Sequence, residues 1–321
     1  MTATSGRALV TGGAGFIGSH VVDLLLARRW SVVVFDDFSN GLRENVSPAA
    51  DVRTGDIRDR KALEEAARGC SRIFHLAALG SVPRSMKSPD QTHDVNVDGT
   101  YNVFLAARNA GAGSVVFSSS SSVYGDDRTL PKVEDRVGRP LSPYGASKLA
   151  NEIEAEGFAS VFPGRIVGLR YFNVFGPRQR HDSPYAAVVP LFFRAALRGE
   201  RPIVYGDGLQ SRDFTFVEDV ARANLLAAEA DLPSGRAHLY NIGAGGSTSV
   251  LDLWNRIAER TGARQPPQHA PLRPGDVRDS RASVEKAKSE IGYEPGFDLA
   301  GGLSRSHAWY RASLAAEATS T

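Results

Sequence analysis

The stretch RALVTGGAGFIGS, residues 7–19, decides the fold. Arg7–Thr11 read as a short strand, a glycine cluster follows, and SHVVDLLLARR continues with apolar residues at helical spacing. Strand, glycine turn and helix N-terminus in that order suit a pyrophosphate, because glycine admits close backbone approach and the helix end is partly positive. Gly12, Gly15 and Gly18 form GxxGxxG, and Gly13, Gly15 and Gly18 also satisfy GxGxxG. Turns collect glycine, so the spacing alone is weak; the flanking strand and helix make it specific. The next strand, SVVVFDD, ends at Asp36 and Asp37. An acid at Asp36 can hold both adenosine ribose hydroxyls and repel a 2′-phosphate, and FDDFSN contains no arginine, so NAD is expected rather than NADP. Asp37 is a second candidate or a turn residue. Asp56, in TGDI, is a candidate adenine-amine acceptor or a helix cap.

Outward from this stretch, apolar runs alternate with helix-length segments through SVVFSSSSSVYG. The strands are too apolar for a one-sided sheet, which argues for a parallel sheet covered on both faces. Later helix candidates are VVPLFFRAALRG, VEDVARANLLAAEA, SVLDLWNRIAERTG and SVEKAKSEIG. RQPPQHAPLRPGD reads as loop, and the tail AAEATST is expected to fray. With 38 Lys plus Arg against 36 Asp plus Glu, the net charge of +2 does not suggest a nucleic-acid binder. No apolar run approaches a membrane span. The opening MTATSGR leaves no room for a signal peptide, and a single cysteine, Cys70, excludes an internal disulfide or multi-cysteine metal site. A cytoplasmic protein with no metal, membrane or nucleic-acid partner is expected.

LSPYGASKLANE, residues 141–152, places Tyr144 and Lys148 four residues apart, on one face of a helix. Such pairs are common by chance. Here, however, the serine run Ser118–Ser122 follows the strand-like Val115–Phe117, so its hydroxyls belong at a strand's carboxyl end, where ligands bind in doubly wound folds. Oxidising a sugar hydroxyl needs a base near neutral pH, and free tyrosine titrates at about 10. Lys148, together with a positive nicotinamide ring, would favour the phenolate; a shift of about three units needs roughly 4 kcal/mol. His75, in RIFHLAA, is expected to be a packing or backbone-bonding residue.

With these stretches in order, along with FDDFSNG, HLAALGSV, LRYFNVFGPRQ, GDGLQSRDF and RPGDVRDS, the sequence resembles an extended short-chain dehydrogenase/reductase of the nucleotide-sugar 4-epimerase type almost end to end. It is most similar to the UDP-N-acetylglucosamine 4-epimerases of bacterial surface polysaccharide synthesis. The resemblance implies a modified Rossmann NAD domain over residues 1–170 that regains segments from about 210–243, and a smaller α/β UDP-sugar domain mainly from 171–321. It implies Ser120, Tyr144 and Lys148 as catalytic. Gly12, Gly15, Phe16, Ile17, Gly18, Asp36, Asp37, Asp56, Ile57, Leu76, Ala77 and Ala78 would join Tyr144 and Lys148 around NAD. Gly80, Ser81, Ser120, Ser122, Asn173, Gln179, Arg180, Val188, Tyr205, Arg212, Arg273, Asp276 and Ser280 would meet the substrate.

Within that set, Asn173, Arg212 and Arg273 would hold the pyrophosphate, Asp276 the uridine ribose, and Tyr205 the uracil. Ser280 stands where a bulky aromatic excludes 2-acetamido sugars, and so leaves room for an N-acetyl group. Arg180 points instead to a UDP-glucuronate 4-epimerase, whose arginine can meet a C6 carboxylate. Plain UDP-glucose and modified UDP-sugars stay open. Related dehydratases and decarboxylases carry an acid just after the catalytic hydroxyl, where this chain has Ser121, Ser122 and Val123; a non-catalytic NAD sensor would have no use for the Ser120, Tyr144 and Lys148 register. The helical segments Asn96–Ala110 and Pro143–Ala159 would pair across a two-fold axis as a four-helix bundle, giving a homodimer.

Overall fold

The computed structural model describes residues 6–272 and 277–319. Its first half is a run of strand, turn and helix: β1 (Arg7–Thr11), α1 (Phe16–Ala27), β2 (Ser31–Asp36), β3 (Asp51–Thr54), α2 (Arg60–Ala67) and β4 (Arg72–His75). After the short helices α3 (Val82–Lys87) and α4 (Pro89–His93) come α5 (Gly99–Asn109), β5 (Ser114–Ser120), α6 (Pro143–Ala159) and β6 (Arg165–Tyr171). The remainder holds β7 (Val174–Phe175), α7 (Val188–Arg198), β8 (Ile203–Tyr205), β9 (Ser211–Arg212), β10 (Thr215–Phe216) and α8 (Val217–Glu229). Then follow β11 (Ala237–Ile242), β12 (Thr248–Ser249), α9 (Val250–Thr261), β13 (Gln268–Ala270), α10 (Glu285–Ile291) and α11 (Leu299–Thr319).

Seven strands form one parallel sheet in the order β11-β6-β5-β4-β1-β2-β3. Period-two alternation divides each central strand between two cores. Ala8 and Val10, Val32 and Val34, and Val116 face α1, α8 and α10. Leu9, Val33, Val115 and Phe117 face α2, α5 and α6. Both faces being dry, the strands read as continuous apolar runs, as expected. Winding reverses between β1 and β4, and this switch point opens a crevice at the strands' carboxyl ends. A third core, built on Phe192, Phe193, Trp254, Leu303 and Tyr310, lies among α7, α9 and α11.

Three expectations need correction. The tail does not fray from Ala315: α11 runs to Thr319, and Glu317 pairs with His181 at 3.0 Å and with Arg198 at 3.3 Å. QHA, inside the stretch read as loop, is β13, which pairs in parallel with β8. The helix expected from Asn96 opens with a π-helical turn, Asp94–Asp98, before α5.

Candidate functional site

β1 delivers Gly12 at φ +70°, a left-handed conformation that glycine adopts without strain. A Cβ there would stand 2.5 Å from the Ala77 backbone nitrogen, and one at Gly18 would stand 2.1 Å from the Gly12 carbonyl. The glycines thus let β1, β4 and α1 converge, leaving the first turn of α1 open to the crevice. Two adjoining cavities of about 580 and 570 Å³ occupy it, sharing Gly12, Gly15, Leu76 and Ala78. Every residue expected around the cofactor lines one or the other: Phe16, Ile17, Gly18, Tyr144 and Lys148 the first, and Asp36, Asp37, Asp56, Ile57 and Ala77 the second.

Asp36 ends β2 with each carboxylate oxygen accepting a backbone N–H, from Ala14 and Phe38, both at 2.9 Å. Burial nonetheless pushes its pKa up, the two bonds opposing the rise. Asp37 is the turn residue: its Oδ1 accepts from the Ser39 N–H and hydroxyl. Asp56 is not a helix cap, since Asp59 caps α2. Its carboxylate accepts from Arg58 Nε and Nη2, and that guanidinium holds the carboxyl below its usual range.

The serine run divides its labour by strand alternation. Lys148, buried, donates from Nζ to the Ser118 carbonyl at 2.8 Å and approaches its hydroxyl at 3.3 Å. Ser119 turns to the α6 side and donates to Glu152. Ser120 ends β5; its hydroxyl accepts from the Ser122 N–H and donates to the Ser122 hydroxyl, and it lies close enough to the Tyr144 phenol to favour its phenolate. Desolvation brings Lys148 down to about 8, with Glu152 opposing the fall. Burial pushes the Tyr144 phenol up and the Ser120 hydroxyl opposes this, while the Lys148 ammonium is directed at the Ser118 carbonyl.

His75 is buried between two hydroxyls, with Nδ1 2.7 Å from Thr11 Oγ1 and Nε2 2.9 Å from Thr100 Oγ1. Thr100 spends its proton on the Asn96 carbonyl, so Nε2 carries the ring hydrogen and Nδ1 accepts from Thr11. The residue is a neutral strut; desolvation foremost brings it to about 3.

Beside Ser120 lies a third cavity of about 180 Å³, which gathers Ser122, Asn173, Arg212 and Ser280 with Val82, Ser121, Leu141 and Ser142. Asn173 holds a positive φ of 28°, a strained conformation for a residue with a side chain. Gly80 and Gln179 line the first cavity, not this pocket. Ser81 caps α3, accepting from the Arg84 N–H at 3.2 Å. Val188 opens α7 and packs on the third core, and Tyr205 ends β8 without lining the pocket. Arg273 and Asp276 lie outside the described residues.

Arg180 lines the first cavity together with Tyr144 and Lys148. It pairs in a fork with Asp182, Nε to Oδ1 at 2.9 Å and Nη2 to Oδ2 at 2.6 Å, at the rim of the first cavity with Nη1 toward the Asn40 carbonyl. Sequence reasoning missed its surroundings. Arg84 donates to Asn40 Oδ1 at 2.9 Å and stacks over the Tyr185 ring, which Lys87 also approaches. No local pattern joins residues so far apart in the chain. Glu152, by contrast, stands one turn after Lys148, where a charge facing the ammonium could have been suspected.

Residues 8–243 match the NAD dependent epimerase/dehydratase family. The chain belongs to that family, is an extended short-chain dehydrogenase/reductase of the nucleotide-sugar 4-epimerase type, and has NAD as its cofactor. It is 38% identical to a UDP-glucose 4-epimerase of Mycolicibacterium smegmatis, over 95% of this chain and 98% of that one. Among solved structures, the UDP-glucose 4-epimerase of Thermotoga maritima with UDP-glucose superposes with a TM-score of 0.92 at 38% identity, covering 96% and 99% of the two chains. The UDP-N-acetylglucosamine 4-epimerase of Methanobrevibacter ruminantium, in complex with UDP-N-acetylmuramic acid, gives 0.91 at 37% identity, covering 97% and 99%.

Proposed function

We propose that this chain interconverts UDP-N-acetylglucosamine and UDP-N-acetylgalactosamine at C4, and accepts UDP-glucose and UDP-galactose as well. The observation that carries the choice of sugar is the pocket wall. Ser280, 5% exposed, stands with Ser121, Ser122 and Ser142, and no aromatic ring occurs among the described lining residues. Small hydroxyl-bearing walls leave space for an acetamido group and offer it hydrogen bonds. Arg180 is already bound to Asp182 at the cofactor rim, which speaks against a C6 carboxylate as its partner. No acid lines the pocket among the described residues, so a dehydratase would lack its second proton carrier there.

The glycine cradle, Asp36 and the first turn of α1 fit NAD. Bound there, it supplies the acceptor that takes hydride from C4 and returns it, so the reaction is redox-neutral. Tyr144 takes the O4 proton and later gives it back, with Ser120 bridging sugar oxygen and phenol. Burial raises the Tyr144 phenol above its ordinary value, so positive charge beside it is needed to form the base. Lys148, fixed by Ser118, keeps one cation within the same buried site. Asn173 and Arg212 hold the pyrophosphate, which leaves the hexose free to turn between the two hydride transfers. Segments after Tyr171 supply this substrate unit, and the sheet with its helices supplies the NAD unit. Pairing of α5 and α6 with a second copy, at the exposed Tyr101 and Ile153, gives the homodimer.

Purified protein supplied separately with UDP-GlcNAc, UDP-Glc and UDP-GlcA, without added NAD, tests the reading. C4 epimerisation of UDP-GlcNAc, lost in Tyr144→Phe, is the expected result. Ser280→Tyr should lower kcat/KM for UDP-GlcNAc at least tenfold while sparing UDP-Glc. Turnover of UDP-GlcA alone would overturn the choice of sugar.

A further inference from the structure

Glu152 is buried at 4% exposure and takes no part in the proton steps above. A buried carboxylate is costly unless partners surround it, and its partners come from separate elements. On α6 it follows Tyr144 by two turns and Lys148 by one. Arg170 of β6 grips it in a fork, Nε to Oε1 at 2.9 Å and Nη2 to Oε2 at 2.8 Å. Arg170 Nη1 is also engaged, by the Tyr124 hydroxyl and the Glu134 carbonyl. From β5, the Ser119 hydroxyl donates to Glu152 Oε1.

Ser119 sits between Ser118, whose carbonyl holds the Lys148 ammonium, and Ser120, which ends β5 beside Tyr144 and favours its phenolate. A slip of β5 against α6 would disturb both contacts at once. We propose that Glu152, gripped by Arg170, is a positioning residue that acts through Ser119 to set the distance of Ser120 from Tyr144 and Lys148. This rests on the catalytic reading of those three residues. Its charge has a second consequence in the same direction, since it favours the Lys148 ammonium against the desolvation that opposes it.

An ion pair kept for stability alone would affect folding and leave turnover intact. Ser119→Ala separates the two, because it cuts the tether to β5 and spares the Glu152–Arg170 pair. Its kcat for UDP-sugar epimerisation should fall about tenfold, equivalent to ~1.4 kcal/mol of barrier, with KM changed less than twofold. Ser119→Thr, which restores the hydroxyl, should recover to within about threefold of the parent. The double variant Glu152→Leu/Arg170→Met replaces both charges, and the acceptor of the Ser119 tether, with apolar side chains of similar volume, a replacement that proteins often tolerate without loss of stability. It should keep its melting temperature and lose kcat at least tenfold.

Wild-type kcat in Ser119→Ala overturns the proposal whatever the double variant does, and Ser119→Ala decides alone if the double variant fails to fold. Equal losses in the Ala and Thr variants would mean packing damage and also overturn it, as would wild-type kcat in a folded double variant. Tyr144→Phe, run alongside, keeps the two claims apart. Activity there sinks the catalytic reading; inactivity there with a wild-type Ser119→Ala sinks only the positioning role.

Discussion

At the scale of single residues, the site sets buried bases side by side with different charge states. Desolvation brings Lys148 to about 8, with Glu152 opposing the fall, whereas desolvation takes His75, held between two threonine hydroxyls, to about 3. For His75 the folded pKa lies below the unfolded value of about 6.5. The folded state therefore binds fewer protons than the unfolded state between those values, and the stability this residue contributes is present above pH 6.5 and is lost as pH falls toward 3. The loss is on the order of 4–5 kcal/mol across that window. Urea midpoints at pH 7 and pH 4 should fall steeply in the parent, and less steeply in His75→Gln.

The residues that sequence pattern located are those whose role is local. Gly12, Gly15 and Gly18 sit in one turn, and Tyr144 and Lys148 share one helix face, so spacing alone places them. The fork of Arg180 with Asp182, two residues on, is not legible in the sequence, because it depends on how a loop folds back. Helical adjacency places Tyr144 and Lys148 on one face but says nothing about where the ammonium aims. In this chain it aims at a carbonyl.

At the scale of elements, strand–turn–helix units announced themselves because each is contiguous and each central strand is apolar on both faces. α11 did not. Gly301 and Gly302 weaken its helical pattern, yet a Cβ at Gly302 would stand 2.6 Å from the Phe175 ring, so glycine there permits the close approach of α11. The π-helical turn at Asp94–Asp98 was equally silent, because one extra residue in a helical turn has no compositional signature. α1 offers the element-scale test. Gly18→Ala would force a methyl group against the Gly12 carbonyl and lift the helix N-terminus from the glycine turn. Purified Gly18→Ala should hold at most about a tenth as much NAD per chain as the parent, measured by absorbance of the acid-released dinucleotide, with α/β circular dichroism retained.

At the scale of the molecule, β6 does not end the sheet. The chain leaves after Tyr171, builds part of the third core, returns as β11 to pair with Ile166–Tyr171 of β6, and leaves again. Because the backbone crosses repeatedly between the sheet and the third core, no single linker divides them, and a cut near residue 170 would strip the sheet of its edge strand. That return was legible only as a candidate region, since the pairing of β11 with β6 depends on contacts far apart in sequence.

The rim of the crevice is laced across by Arg84 to Asn40, Tyr185 beneath Arg84, and Arg180 toward Asn40. Asn40, Arg84 and Tyr185 line both cavities, so these contacts are expected to slow the release of a dinucleotide held there. Arg84→Ala should shed its dinucleotide several-fold faster than the parent when diluted through a desalting column, as followed by residual epimerase activity. An enzyme that carries its oxidant from one turnover to the next is insulated from its surroundings: swings in the ratio of oxidised to reduced dinucleotide outside would leave its rate unchanged, and sugar supply alone would govern flux.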